Sequence, residues 1–300
     1  MNTNSEFKER NFLFNFVSLL EGPVTPLVYL HLSNLSRNPI NRVCIMTNNS
    51  NFELLNKECK QLGIKLCLHA SDSILTYYQL KNTNDNVKDS PESFFSKKFA
   101  YITVLKWILL IEVLKHDDNS PIIFTDSDIF WNVNCKSKNS ILNNLLIENE
   151  FMTQQDGKVY CTGIMTLQKT DKNFELINNL LDYHLSQLSS KTLNDQDIFN
   201  DYAKKNNLQI NYLPSNLFLI GRDISKSLTK LSNLNTPIAI HANYIVGHKA
   251  KFKVLNLIKI YLEDNANNTF LFKIKLLFLL FWEQKIIVKV RSFLFFIKHI

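Results

Sequence analysis

The sequence predicts a mixed α/β domain whose mainly parallel sheet is flanked by helices. Three observations carry this. Short apolar runs of strand length alternate with longer segments of helical spacing through the first half of the chain. The run Ile122-Ile123-Phe124-Thr125 is apolar at successive positions, as a strand covered on both faces must be. A hydrophobic fraction of 45% against 20% charged residues is ordinary for a globular protein, so disorder is not the default reading, and 300 residues are enough for a full core.

Asn11 to Val17 (NFLFNFV) reads as a first buried strand, with Gly22, Pro23 and Pro26 breaking the chain after it. Leu27 to Leu35 follows as a helix and Arg42 to Thr47 as a strand closed by Asn48-Asn49-Ser50. Asn51 to Leu62 has helical spacing, Gly63 is placed to stop it, and Lys65 to His69 makes a third strand. Ser71 to Ser96 is polar and weakly patterned, so a loop or surface excursion is expected. Lys97 to Lys115 is a strong helix, and Pro121 then opens the apolar strand that ends at Asp126-Ser127-Asp128.

The second half is less regular. Helices are expected over Ser140 to Glu148, Asn173 to Leu188 and Gln196 to Lys205, with strands at Phe151 to Thr153, Val159 to Leu167 and Gln209 to Leu213. No Pro/Gly-rich linker or internal repeat divides the chain, so residues 1–260 are expected to form one domain and 261–300 a basic, hydrophobic tail.

The formal charge of +7 is concentrated there: Thr269 to Ile300 carries Lys273, Lys275, Lys285, Lys289, Arg291 and Lys298 against Glu283 alone. The remainder is near neutral, which argues against a nucleic-acid groove spread over the fold. The longest uncharged run of the tail, Leu276 to Trp282, is far short of the ~20 residues that span a bilayer. Its many phenylalanines among lysines suit an anionic membrane surface, with packing onto the domain as the alternative. Five cysteines without C-x-x-C spacing suggest neither a disulfide framework nor a zinc ribbon. With no signal peptide visible, a cytoplasmic protein is expected, peripheral on the inner face of a membrane.

Asp126 and Asp128 stand at the carboxyl end of a strand in an open α/β sheet, where such folds bind ligands. Two carboxylates at i and i+2 there can hold a divalent cation, a hard ion that bridges phosphates. A solvated Asp-Ser-Asp turn is the plainer alternative.

The run KWILLIEVLKHDDNSPIIFTDSDIFW, with CTGIMTL around Gly163, NDQDIFN from Asn194 to Asn200 and HANYIVGHKAK from His241 to Lys251, resembles the nucleotide-diphospho-sugar transferase family. That family has the Rossmann-like GT-A fold and includes the glycogenin and lipooligosaccharide galactosyltransferase group, and the resemblance spans roughly Thr25 to Leu255. It implies a glycosyltransferase that moves a sugar from a nucleotide-diphosphate sugar to a hydroxyl of a glycan, glycolipid or protein acceptor, with retention. It further implies Mn²⁺ or Mg²⁺ held by Asp126, Asp128 and His241. Gly247 and Lys251 would meet the diphosphate, with Lys249 competing for the lysine role. Asp195 and Gln196 would be the catalytic-site pair that binds and orients the sugar, the alternative being a helix N-cap at Asn194 or Asp195. Lys106 would reach the phosphates or an aspartate, or else be a solvated helix lysine.

Two departures put the donor in doubt. Cys161-Thr162-Gly163 stands where Asn-x-Gly is common in the glycogenin branch, and the proline often found after the metal motif is absent. A haloacid-dehalogenase-type phosphatase also uses Asp-x-Asp after an apolar strand, but Phe130 fits poorly where that motif continues with Thr or Val. A non-catalytic membrane-surface protein with a degenerate transferase domain is the other alternative. Its sign would be loss of the metal residues, yet all three are present.

Overall fold

The computed structural model describes residues 14–72, 97–115, 120–133, 136–188, 193–221, 237–245 and 247–263. The chain runs β1 (Phe14–Leu19), α1 (Pro26–Leu35), β2 (Ile40–Thr47), a 3₁₀ turn (Asn49–Asn51), α2 (Phe52–Gln61), β3 (Leu66–Ala70), α3 (Lys97–Lys115), β4 (Ile122–Thr125) and β5 (Ile129–Trp131). It continues with α4 (Lys136–Glu148), β6 (Phe151–Asp156), β7 (Val159–Leu167), α5 (Asp171–Gln187), α6 (Asp195–Lys205), β8 (Asn211–Tyr212), β9 (Phe218–Ile220), β10 (Ala239–His241) and α7 (His248–Glu263).

Among the described residues, seven strands form one sheet in the order β3-β2-β1-β4-β7-β6-β8. The β3-β2-β1-β4 half is parallel, β7 is antiparallel to both β4 and β6, and β8 pairs parallel with β6. This is the mixed, mainly parallel architecture that the sequence predicts. From β1 the chain first steps outward through β2 and β3, then returns as β4 on the other side. The carboxyl ends of β1 and β4 therefore flank the switch point at which open α/β sheets form their ligand crevice.

Alternation along the strands divides the core in two. Phe14, Phe16, Val43, Ile45, Ile123 and Ile164 face α1, α2 and α4, while Val17, Cys44, Met46, Phe124, Met165 and Leu167 face α3, α5 and α6. The α3 helix is apolar nearly all round, with Val104, Leu105, Trp107, Leu109 and Leu110 all buried, as a helix enclosed on every side must be.

A second sheet, β5-β10-β9, was not legible in the sequence, because three-residue strands are too short to show a period. Its inner residues Ile129, Trp131, Phe218 and Ala239 join the main core. Its outer residues Phe130 and Ile240 pack on α7 and on Leu27 and Leu30 of α1. The α7 helix itself was also not predicted. In β6 the expected strand stops at Thr153, whereas the observed one continues to Asp156. Ser71 and Asp72 are helical; the rest of the expected 71–96 loop lies outside the described residues, as does the 269–300 tail.

The free edge of β5 is satisfied by side chains instead of another strand. Asn34 on α1 accepts from Trp131 N at 2.6 Å and donates to Trp131 O at 2.7 Å, so its amide substitutes for a neighbouring peptide. In the turn beyond the end of α1, Asn38 accepts from Val133 N at 2.9 Å, and one helical turn back from Asn34, His31 lies 3.4 Å from Ile129 O and 3.0 Å from the Ser18 hydroxyl. Burial pushes the His31 imidazole down to about 4, so it is neutral. Two buried polar side chains of an otherwise apolar helix, His31 and Asn34, together with Asn38 in the turn that follows it, thus fix the strand after Asp128.

Replacing Asn34 by alanine strands both polar groups of the buried Trp131 peptide and should destabilise the fold by about 2–4 kcal/mol. Urea unfolding measures this, and a loss below about 0.5 kcal/mol, the range of ordinary surface substitutions, would contradict the tie.

Candidate active site at the sheet switch point

Three chain segments distant in sequence meet at the end of β4. Antiparallel pairing sets Thr125 opposite Ile164, and Asp126 N donates to Gly163 O at 2.9 Å. In the second sheet His241 pairs with Ile129, and Ala242 N donates to Asp128 O at 2.9 Å. His241 shares the inward face of Ala239, so its ring falls between Asp128 and β7. One ligand atom from each of Asp126, Asp128 and His241 lies within 4.8 Å of the others.

Asp128 is the anchored member. Its Oδ1 lies 3.3 Å from His241 Nε2 and its Oδ2 receives Lys251 Nζ at 2.6 Å. Burial alone would raise its pKa, but Lys251 and His241 outweigh this and hold the carboxyl well below the usual range. For His241 burial likewise opposes the charge, and Asp128 overcomes it and pushes the imidazole up. The other ring nitrogen, Nδ1, lies 2.8 Å from Gln154 Oε1. Gln154 is itself fixed by donating to Phe218 O and Leu219 O. That amide oxygen can only accept, so Nδ1 carries a proton and Nε2 is the nitrogen turned to the carboxylates.

Asp126 differs in being open, with 37% of its side chain exposed. Despite that opening, loss of hydration on its inner side and the charges of Asp128 and Asp195 push its carboxyl above the usual range, with Lys106 and His241 acting against them. Lys106 is buried in the middle of α3. Its ammonium lies 3.5 Å from Asp126, forms an ion pair with Asp195, donates to Thr162 O at 3.1 Å and sits 4.5 Å over the Phe124 ring. Asp195 also accepts from the Thr162 hydroxyl at 2.5 Å. Burial would raise Asp195, but Lys106 and Thr162 lower it, so it remains ionised. Of the alternatives for Lys106, the structure places it against aspartates.

Gly163 matters for its missing side chain. A Cβ there would stand 2.2 Å from His241 Cε1. Gly247 has φ +92°, a left-handed conformation that glycine adopts without strain, and its carbonyl accepts from Lys251 N as α7 begins. Lys251 points to Asp128, whereas Lys249 is exposed. Asn194 is the N-cap of α6, accepting from Asp197 N at 2.9 Å. Asp195 and Gln196, expected to act together, face different ways. Asp195 joins the Lys106 pair, while Gln196 lines a groove of about 400 Å³ with Val159, Leu193, Asp197, Asn200 and Asp201. Gln154 and Thr162 were not identified from the sequence; both look like ordinary polar strand residues until pairing shows their partners.

The donor set fits a hard or borderline divalent cation: two carboxylates, one of them open, and an imidazole whose tautomer is fixed by a glutamine. Fold and site together define an α/β protein that gathers carboxylates, an imidazole and two lysines at the carboxyl ends of its central strands. The model of the nucleotide-diphospho-sugar transferase family matches residues 54–255, and the chain belongs to that family. The UDP-galactose:fucoside alpha-3-galactosyltransferase of Dictyostelium discoideum is 24% identical over 221 residues, covering 65% of this chain. The chain spans about a third of the length of that relative, 33%. Among solved structures, mouse xyloside xylosyltransferase 1 in its apo form has a TM-score of 0.47 at 12% identity, covering 77% of this chain and 97% of its own. The glycosyltransferase GlyE of Streptococcus pneumoniae has a TM-score of 0.49 at 12% identity, covering 85% of this chain and 64% of its own.

Because Gln154 and Asp128 pin the His241 ring, Gly163→Ala cannot be absorbed by a free rotation. It should cost about 1–3 kcal/mol in urea unfolding, as overpacking of a tight site does. The His241 Cε1–H resonance should move as well. An unchanged stability together with an unchanged resonance would show that the ring has room.

Proposed function

We propose that this chain is a GT-A glycosyltransferase that transfers a sugar from a nucleotide-diphosphate donor to an acceptor hydroxyl. The observation that carries the reading is the convergence of Asp126, Asp128 and His241 at the switch point, with Lys251 on one side and Lys106 on the other. Family membership supports it, and leaves the phosphatase alternative without support.

Asp126, Asp128 and His241 would hold a divalent cation, which when bound neutralises a diphosphate leaving group. An imidazole in the set favours Mn²⁺ over Mg²⁺. Lys251 is close enough to the carboxylates to offer its ammonium to the same diphosphate, and Gly247 leaves the backbone there unobstructed. Asp195, kept ionised by Lys106 and Thr162, would bind sugar hydroxyls near Asp126. Gln196 would contact the sugar or acceptor from its own groove. Retention at the anomeric carbon is part of the proposal and rests on the family resemblance alone; Asp195, paired with Lys106 and Thr162, is not offered as a free nucleophile. The Dictyostelium relative is named for UDP-galactose and a fucoside, so UDP-galactose is the first donor to test. We further propose that residues 269–300 hold the enzyme at an anionic membrane surface, where a glycolipid acceptor would be met; their six cations support this.

The test is a panel of nucleotide sugars incubated with the protein and Mn²⁺, reading release of the nucleoside diphosphate. Asp128→Asn keeps the volume but removes a charge, and should lower turnover about a hundredfold or more while circular dichroism shows a folded protein. Chelation of the wild type should abolish turnover and Mn²⁺ restore it. Near-normal turnover in the folded variant, or after complete chelation, contradicts the reading.

A further inference from the structure

Tyr244 stands three residues beyond His241 on the segment that leads to Gly247. It is 55% exposed, yet its hydroxyl is held by both oxygens of Asp156, at 2.6 and 2.7 Å. Asp156 is buried at the end of β6, two residues beyond Gln154 and so on the same face of the strand as the side chain that orients His241. The side chain is therefore fixed at its polar tip yet more than half exposed, and its anchor Asp156 is two residues from the glutamine that holds His241.

Its backbone is also unusual. Tyr244 has φ +64°, where a bulky side chain is disfavoured. Among the described residues the other non-glycine one with positive φ, Asn207, closes α6 at a position where asparagine commonly takes this conformation. No helix ends at Tyr244, and the asparagine better suited to the left-handed region is its neighbour Asn243. That residue is instead tied to Gly221, whose N–H it accepts at 2.7 Å. Strain of this kind, held by surrounding contacts, is characteristic of ligand-contacting residues.

We infer that Tyr244, locked by Asp156, is the aromatic platform on which the acceptor sugar stacks during transfer. The inference rests on the transferase reading above. Position decides between the sugar and the donor base as occupant. Asp156 is on β6, beyond β7 from β4 and β1, on the opposite side of the cation site from β2 and β3. With the diphosphate placed against Lys251 and the carboxylates, the crevice over β1 and β2 is left for the nucleoside and the β6 side for the acceptor. A tyrosine ring offers an apolar face to the C–H side of a pyranose, and the adjoining Asp156 offers acceptors to its hydroxyls. Tyr244 is thus a specificity-determining contact, distinct from the groups that hold the cation.

The test combines kinetics with direct binding. Tyr244→Ala should raise the acceptor KM by about tenfold or more, with kcat and the donor KM for nucleotide-sugar hydrolysis within about twofold of wild type. Tyr244→Phe, which keeps the ring but loses the Asp156 bond, should fall between them. In a protein labelled at its tyrosine rings, methyl glycosides of galactose, glucose and fucose should be titrated without donor. At least one should shift the Tyr244 ring resonance, assigned by its loss in the phenylalanine variant, and UDP alone should not. A shift with UDP alone, an increase in donor KM alone, or no shift with any pyranoside overturns the proposal. Failure of the transferase reading itself would be seen separately, as absence of hydrolysis of every nucleotide sugar by the wild type.

Discussion

Three carboxylates, Asp126, Asp128 and Asp195, are brought together at the edge of a hydrophobic core, and the need to keep them charged there shapes the structure around them. Buried like charges repel and lose hydration, so the arrangement requires compensating cations with satisfied hydrogen bonds. Lys106, Lys251 and His241 supply these. Each places a demand on the fold. Lys106 must cross the interior, so it rides on a helix that is apolar on its other sides. His241 must lie opposite Ile129, so β10 pairs with β5. The opposite edge of β5 then needs partners, which His31 and Asn34 on α1 and Asn38 just beyond it provide.

Much of this was legible in the sequence where it depended on local pattern. The parallel half of the sheet, the long α3 helix and Asp126 and Asp128 at a strand end follow from periodicity and from the general position of ligands in open sheets. The second sheet was not legible, since its strands are three residues long and are defined by one another. Lys106 was legible as a pair of alternatives, a lysine reaching the phosphates or an aspartate or else a solvated one, and the tertiary placement of Asp126 and Asp195 decides for the internal counter-ion. Gln154 was missed because Gln-Gln-Asp after Phe-Met-Thr reads as the end of a strand, while pairing with β7 and packing by the second sheet bury it.

Neighbours in sequence need not be neighbours in function. Asp195 and Gln196 project about 100° apart around α6, which sends one to Lys106 and the other to an outer groove. Gly163 and His241 show the converse. Almost 80 residues separate them, yet the imidazole occupies the space that a side chain at Gly163 would fill. The Cys161-Thr162-Gly163 sequence is then intelligible position by position. Thr162 holds Asp195, Gly163 admits His241, and Cys161 Sγ lies 3.8 Å from His241 Nδ1. Departure from Asn-x-Gly at its first position leaves the two contacts that organise the site intact.

The proposed cation site requires that Asp126, Asp128 and His241 act as one ligand set with the imidazole nitrogen Nε2 directed at the cation. Titration of the protein with Mn²⁺, followed by electron paramagnetic resonance with detection of nuclear couplings, tests this most directly. One bound Mn²⁺ per chain with a directly coordinated imidazole nitrogen is expected, a coupling that His241→Ala removes. Bound Mn²⁺ with oxygen ligands alone, or no bound ion at all, would contradict it.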